Sequence, residues 1–154
     1  MSNINIGKVV LGGLLAGLVI NIAEFVLHGV VLAADWVEVM KSLKRPTETT
    51  TAQITGFVVS GFVIGILAVW LYAAIRPRFG AGPGTAATAG FFIWVLGYVM
   101  GSAGPVIQGI YPMRLVTIAC AVGLVEAIVA TILGAAVYKE EAAAATPMAA
   151  AAGR

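Results

Sequence analysis

Four long apolar runs dominate this chain, and two of them carry a single carboxylate at a similar depth. Glu24 lies inside the first run and Glu126 inside the fourth. A carboxylate in hydrocarbon costs several kcal/mol unless it is protonated, paired or hydrated. The sequence therefore predicts a membrane protein with a polar group at its centre.

The composition leaves the lipid bilayer as the only suitable solvent. Of 154 residues, 60% are hydrophobic and 10% are charged, whereas a soluble domain carries roughly a quarter charged residues. A net charge of +2 without a basic stripe argues against nucleic acid as a partner. Cys120 is the single cysteine, so no intrachain disulfide can form.

The four runs predict an all-α fold, a four-transmembrane-helix bundle that forms one domain over residues 1–141. Each run reaches the roughly 20 residues needed to cross a bilayer. The first is too long for a signal-peptide core, which favours an uncleaved span over cleavage before Ala34. The Ala-rich residues 142–154 are predicted to be frayed or disordered. The predicted spans cover residues 6–34, 52–75, 85–104 and 115–138.

A short interfacial amphipathic helix is predicted between the first two spans. Asp35 followed by Glu38 is typical of an N-cap with its capping-box partner. Apolar residues then share one helical face, and Trp36 is the expected anchor in the membrane interface. Pro46 is expected to end this helix.

The distribution of Lys and Arg near the span ends slightly favours both termini in the cytoplasm. The side that holds the termini carries five: Lys8, Arg76, Arg78, Lys139 and Arg154. The opposite side carries four: Lys41, Lys44, Arg45 and Arg114.

Small and polar residues share one face of the first span and one face of the fourth. On the first span they are Gly13, Gly17, Asn21, Glu24 and His28. On the fourth they are Ala119, Gly123, Glu126, Ala130 and Gly134. Small residues let another helix approach closely. This predicts helix packing at Gly13, Gly17, Gly123, Ala130 and Gly134.

Glu24 and Glu126 are predicted to meet near the membrane midplane. Glu24 lies ten residues from Ala34 and Glu126 twelve from Arg114, which corresponds to a depth of about 15–18 Å at 1.5 Å per residue. Two carboxylates close together at low dielectric do not both ionise readily, so at least one proton is expected there. His28, one helical turn from Glu24, is placed to relay that proton or to pair with Glu24.

Three interpretations of Asn21, Glu24, His28 and Glu126 stay open on the sequence alone. They form a structural polar cluster, in which Glu126 donates to a carbonyl or to Tyr98. Alternatively, they form a proton or solute site. In the third interpretation Glu24, His28 and Glu126 are metal ligands, although they match no recognised spacing.

The sequence contains no established catalytic, cofactor-binding or metal motif. No nucleophile–base pair is apparent. The glycines between residues 80 and 84 follow no predicted strand and precede no Gly-Lys-Ser/Thr, so they predict a turn rather than a phosphate-binding loop. The chain is therefore not expected to be an enzyme or to hold a cofactor.

Three stretches resemble a group of short bacterial four-span membrane proteins of unassigned function. They are residues 12–32 (GGLLAGLVINIAEFVLHGVVL), 69–86 (VWLYAAIRPRFGAGPGTA) and 123–128 (GLVEAI). The resemblance extends almost to Lys139 and implies a four-helix fold in a bacterial membrane, with the inner membrane expected. It supplies no activity and no functional residue.

Two functions are compatible with these observations. The first is an accessory or scaffold membrane subunit, within a homo-oligomer or a larger complex, whose polar cluster sets helix packing. The second is a small proton-coupled transporter that uses the intramembrane carboxylates. A hydrated cavity that reaches Glu24 would favour transport, and a dry, hydrogen-bonded cluster would favour the scaffold.

Overall fold

The computed structural model describes residues 4–138, which are helical apart from short connections and contain no strand. Residues 1–3 and 139–154 lie outside the described range, and with them the predicted tail. The helices in chain order are α1 (Ile6–Val26), α2 (Ala33–Ser42), α3 (Thr51–Phe79), α4 (Pro83–Trp94), α5 (Gly101–Ile107) and α6 (Met113–Val137). Two π-helical segments interrupt this order: Leu27–Val31 extends α1, and Val95–Met100 joins α4 to α5.

Four helical stretches are long and apolar enough to cross a membrane: Ile6–Val31, Thr51–Phe79, Pro83–Ile107 and Met113–Val137. Large apolar side chains such as Phe25, Phe57 and Leu96 are exposed on the outside of the bundle. Such a surface suits lipid and not water. The predicted all-α fold with four spans is confirmed.

Glycines allow α1 to approach α3 closely. A Cβ atom at Gly17 would lie 2.7 Å from the Cα of Phe62, and one at Gly13 would lie 2.5 Å from the Cα of Ile66. Real Cβ contacts are not this short, so only glycine fits at these two positions. Gly134 on α6 similarly lies against the backbone of α1, where its Cβ would be 2.7 Å from the carbonyl oxygen of Gly12.

The two ends of the described chain meet on the same side of the bundle. The backbone N–H of Asn5 donates to the hydroxyl of Tyr138 at 3.3 Å. The Tyr138 ring packs edge-on against Tyr72, with 6.0 Å between centroids. The Arg76 guanidinium lies 5.7 Å from the centroid of the Tyr138 ring. This aromatic cluster closes the end of the bundle where α1 begins and α6 ends.

On the opposite side, α2 begins earlier than its sequence suggests. The helix starts at Ala33, and no side chain caps it, so the prediction of Asp35 as the N-cap is wrong. The backbone N–H of Leu32 instead bonds to the carbonyl of Leu27 at 2.8 Å. The chain therefore passes almost directly from the π-helical segment into α2, and Asp35 pairs with Arg114 at the start of α6.

The end of α2 is fixed by hydrogen bonds within its own last turn. The helix ends at Ser42, and the Arg45 N–H donates to the carbonyl of Met40 at 2.9 Å. Lys44 has a φ of 54°. This is the left-handed conformation that closes a Schellman turn, and glycine usually occupies that position. The turn, and not Pro46, ends the helix.

Two prolines lie inside helices, Pro77 within α3 and Pro105 within α5. The second span therefore continues past residue 75 to Phe79, and residues 80–82 connect it to α4. The third span likewise continues past its expected end at Gly104. Membrane-spanning helices tolerate proline because the neighbouring backbone adjusts locally.

The half of the bundle near the termini and the half near α2 are packed differently. Towards the termini, α1, α3, α4 and α6 share one apolar core. On the α2 side, the buried residues come from the α1 extension, α2 and α6: Leu27, Leu32, Val39, Leu115 and Ala119. Residues 51–60 of α3 are all exposed, and neither Val95–Met100 nor α5 contains a buried residue.

The close α1–α3 contact can be tested with a pair of glycine variants. Gly17→Leu forces the two backbones apart and should cost about 1–3 kcal/mol, as overpacking generally does. Gly56→Leu is the matched control, because a Cβ at Gly56 meets no atom within 4 Å. Thermal unfolding in detergent should show a lower melting temperature for Gly17→Leu only. Equal melting temperatures would contradict the packing.

Candidate functional site

The polar centre begins with Tyr98, which lies in the π-helical segment Val95–Met100. Its ring packs on Gly123 of α6, where a Cβ would lie 2.5 Å from the Cε1 atom of Tyr98. Gly123 therefore makes room for an aromatic side chain of another span, at a position where the sequence predicted helix packing. π-helical segments are rare and are found frequently at functional sites.

The Tyr98 hydroxyl lies between the two intramembrane carboxyl groups. It forms a hydrogen bond with Oε1 of Glu24 on α1. It forms a second hydrogen bond, of 2.9 Å, with Oε1 of Glu126 on α6. One hydroxyl thus connects the first, third and fourth spans, and the two glutamates meet through this tyrosine.

The two hydrogen bonds require a proton on one carboxyl group. A tyrosine hydroxyl has one proton, so it can donate only one hydrogen bond. The other bond must be donated to the phenol oxygen by a protonated carboxyl group. The Glu24–Tyr98–Glu126 bridge is therefore a site that holds a carboxyl proton.

The partners of the two carboxyl groups favour Glu126 as the protonated member. Oε2 of Glu126 has no hydrogen-bond partner among residues 4–138, whereas Oε2 of Glu24 faces Nε2 of His28 at 3.4 Å. A buried charge without partners costs more than a neutral, hydrogen-bonded carboxyl group. We therefore assign the proton to Glu126, which donates to Tyr98, while Tyr98 donates to Glu24.

His28 extends the bridge towards α2. The indole Nε1–H of Trp36 donates to His28 Nδ1 at 2.8 Å, so Nδ1 carries no proton. The proton of the neutral ring is then on Nε2, which faces Oε2 of Glu24 at 3.4 Å. Trp36, which the sequence predicts to be an interface anchor, thus fixes the tautomer of an intramembrane histidine.

Asn21 lies apart from this centre, although the sequence grouped it with the others. Its side-chain amide donates to the carbonyl of Gly17 at 2.8 Å and to that of Val58 on α3 at 3.2 Å. It therefore connects α1 to α3. The polar centre consists of Trp36, His28, Glu24, Tyr98 and Glu126.

Apolar grooves adjoin the centre along the seam between α1 and α6. One, of about 250 Å³, is lined by Val19, Ala23, Val122, Val125, Glu126 and Val129. The next, of about 390 Å³, is lined by Ala23, Val26, Leu27, Val31, Ile118 and Val122. The exposed surface of both grooves is apolar. Oε2 of Glu126 is buried and has no hydrogen-bond partner among residues 4–138.

The sequence identified both carboxylates and named Tyr98 as one possible partner of Glu126. It did not identify Tyr98 as the bridge to Glu24, and the Trp36–His28 bond was missed entirely. The eight-residue separation of Trp36 from His28 crosses a π-helical segment and a change of helix, so no helical periodicity marks it. Within residues 4–138, no three His, Cys, Asp or Glu side chains are grouped closely enough to hold a metal ion.

Comparisons with family models, with curated proteins and with solved structures find no match to this chain. Membership of a family therefore stays a prediction. The function has to be argued from the polar centre.

The location of the carboxyl proton can be measured by infrared spectroscopy at neutral pH. We expect the C=O stretch of a protonated carboxyl group in the native protein, its loss in Glu126→Gln, and its persistence in Glu24→Gln. The reason is that the amide oxygen introduced by Glu24→Gln would still accept the hydrogen bond from Tyr98, which leaves Glu126 protonated. Loss of the band in Glu24→Gln alone would place the proton on Glu24 instead.

Proposed function

We propose that this protein is an accessory or scaffold membrane subunit of the bacterial inner membrane, with both termini in the cytoplasm. In this proposal it acts within a homo-oligomer or a larger membrane complex, and the Glu24–Tyr98–Glu126 bridge sets the arrangement of its spans. The observation that carries the proposal is the single Tyr98 hydroxyl bonded to carboxyl groups of two other spans.

The surroundings of the bridge support a structural role. Polar side chains join membrane helices, and each such hydrogen bond contributes about 0.6 kcal/mol and at most about 2. Apart from Glu126, the side chains that line the neighbouring grooves are aliphatic, and the exposed surface of both grooves is apolar. Apolar surfaces do not hold ordered water, so these surroundings support a hydrogen-bonded scaffold.

The position of the bridge supports the same role. On the α2 side, residues 51–60 and α5 add little to the packed core. Tyr98 is the residue of the third span that reaches both α1 and α6 there through hydrogen bonds. In the proposal, this bond holds the loosely packed second half of the third span, residues 95–107, against the α1–α6 pair and so presents a fixed surface to a partner.

A second candidate, a small proton-coupled transporter, is favoured by the asymmetry of the two carboxyl groups. Glu24 is about one-third exposed, whereas Glu126 is buried with Oε2 unpaired in the described residues. A proton can pass between them without a net change at Tyr98: Glu126 gives its proton to the phenol oxygen while the phenol gives its own to Glu24. Alternate exposure of the two carboxyl groups would then couple this transfer to a solute.

The structural role predicts a loss of stability when the bridge is broken. Tyr98→Phe keeps the ring on Gly123 and removes both hydrogen bonds, so the melting temperature should fall by about 2–6 °C, from roughly 1–2 kcal/mol lost. Tyr111→Phe is the matched control, because Tyr111 packs edge-on against Trp36 outside the bridge. Equal melting temperatures for the two variants would contradict the structural role.

Proton flux separates the two candidates. Proteoliposomes with a pH-sensitive dye inside should acidify no faster than protein-free liposomes after an external acid pulse, if the protein is a scaffold. Acidification that exceeds the protein-free rate and disappears in Glu126→Gln would overturn the scaffold and establish the transporter. Glu38→Gln, at an exposed position on α2, controls for the loss of a carboxylate elsewhere.

A further inference from the structure

The hydrogen bond between Trp36 and His28 joins the membrane-spanning part of the chain to the amphipathic helix α2. His28 belongs to the membrane-spanning extension of α1, and Trp36 lies in the first turn of amphipathic α2. The two rings are in contact, with 5.7 Å between centroids. The Trp36 ring also packs edge-on against Tyr111 at 5.3 Å, in the connection that leads to α6.

This hydrogen bond exists in only one protonation state of His28. Neutral imidazole accepts at Nδ1 when its proton is on Nε2, whereas imidazolium carries N–H groups at both positions. Indole is a donor only. Protonation of His28 would therefore set two N–H groups against each other along the 2.8 Å contact, and the Trp36 bond would be lost.

The groups that face His28 determine which residue a protonated ring would pair with. On α1, Glu24 lies 3.4 Å from Nε2 and attracts a protonated ring. On α2, the contacting residue is Trp36, which does not titrate, and the neighbouring Asp35 is paired with Arg114 of α6. The phenol of Tyr111 contacts Trp36, and the other titratable side chains of α2, Glu38 and Lys41, are exposed.

We propose that His28 is a pH-sensitive latch between the polar centre and α2. Neutral His28 holds the start of α2 through the indole of Trp36. Protonated His28 releases Trp36 and pairs with Glu24. Because an imidazole gains a proton as the pH falls, the latch opens in that direction.

Release concerns the Trp36 contact and not the whole of α2. Val39 is buried in the core that α2 shares with α1 and α6, and Asp35 keeps its ion pair with Arg114. Two arrangements of the same helix, differing in one hydrogen bond, are the kind of two-state element that a protonation event can bias. The latch does not depend on whether the protein is a scaffold or a transporter.

The chain contains its own controls for a test by ¹⁹F NMR with 5-fluorotryptophan. The three tryptophans are Trp36, Trp70 and Trp94, and single Trp→Phe variants assign the three signals. The indole N–H of Trp94 donates to the backbone carbonyl of Cys120 at 2.8 Å, an acceptor that does not titrate. Trp70 lies on α3 and is exposed.

We expect the Trp36 signal of the full-length protein in lipid nanodiscs to shift in a single one-proton transition between about pH 8 and 5. The Trp70 and Trp94 signals should stay in place. In His28→Asn, the amide oxygen replaces Nδ1 as a non-titrating acceptor, so the Trp36 transition should disappear. Glu38→Gln should leave the transition unchanged.

Three results would overturn the latch. The first is a Trp36 signal in the native protein that does not change over this range. The second is a transition that persists in His28→Asn, which would assign it to another group. The third is a common shift of all three signals, which would indicate a change of the whole bundle.

Discussion

A carboxyl group in hydrocarbon has to be neutral, hydrogen-bonded or both, and this chain satisfies that requirement for two glutamates with one tyrosine. The phenol hydroxyl of Tyr98 donates one bond and accepts another, so it fits between one neutral and one ionised carboxyl group. Two ionised groups would leave one of the bonds without a proton. The geometry of the centre thus requires at least one protonated carboxyl group.

The rest of the bundle is arranged around this requirement. Close backbone contact at Gly13 and Gly17 brings α3 against α1, and Gly134 brings α6 against α1. With α1 and α6 in contact, Glu24 and Glu126 come within reach of one side chain from the third span. The spans are thus held together by two kinds of contact. Glycines allow close backbone packing in the half near the termini, and the Glu24–Tyr98–Glu126 bridge joins the spans in the loosely packed half.

The sequence was sufficient to predict the features that depend on hydropathy and on the spacing of residues. The four spans follow from the apolar runs, and the meeting of Glu24 and Glu126 follows from their depth. The tight packing at Gly13 and Gly17 follows from spacing on one helical face.

Features decided by tertiary contacts were not predictable. Asp35 has the sequence signature of an N-cap but pairs with Arg114, which is distant in the chain. Pro77 and Pro105 signal helix ends in water, whereas in these spans the helices continue through them. Asn21 shares a face with Glu24 in sequence, yet its amide bonds to the backbone of α3, because Gly61 leaves room for it there.

The two π-helical segments carry His28 and Tyr98, the two neutral members that flank Glu24. A π-helical turn accommodates one residue more than an α-helical turn. Deletion of a single residue other than Tyr98 within Val95–Met100 can therefore be absorbed by a return to regular α-helix, with the flanking parts of the span still facing the same way. Such a deletion would change the direction in which Tyr98 projects without breaking the span. The site thus depends on the number of residues in a turn as well as on residue identity.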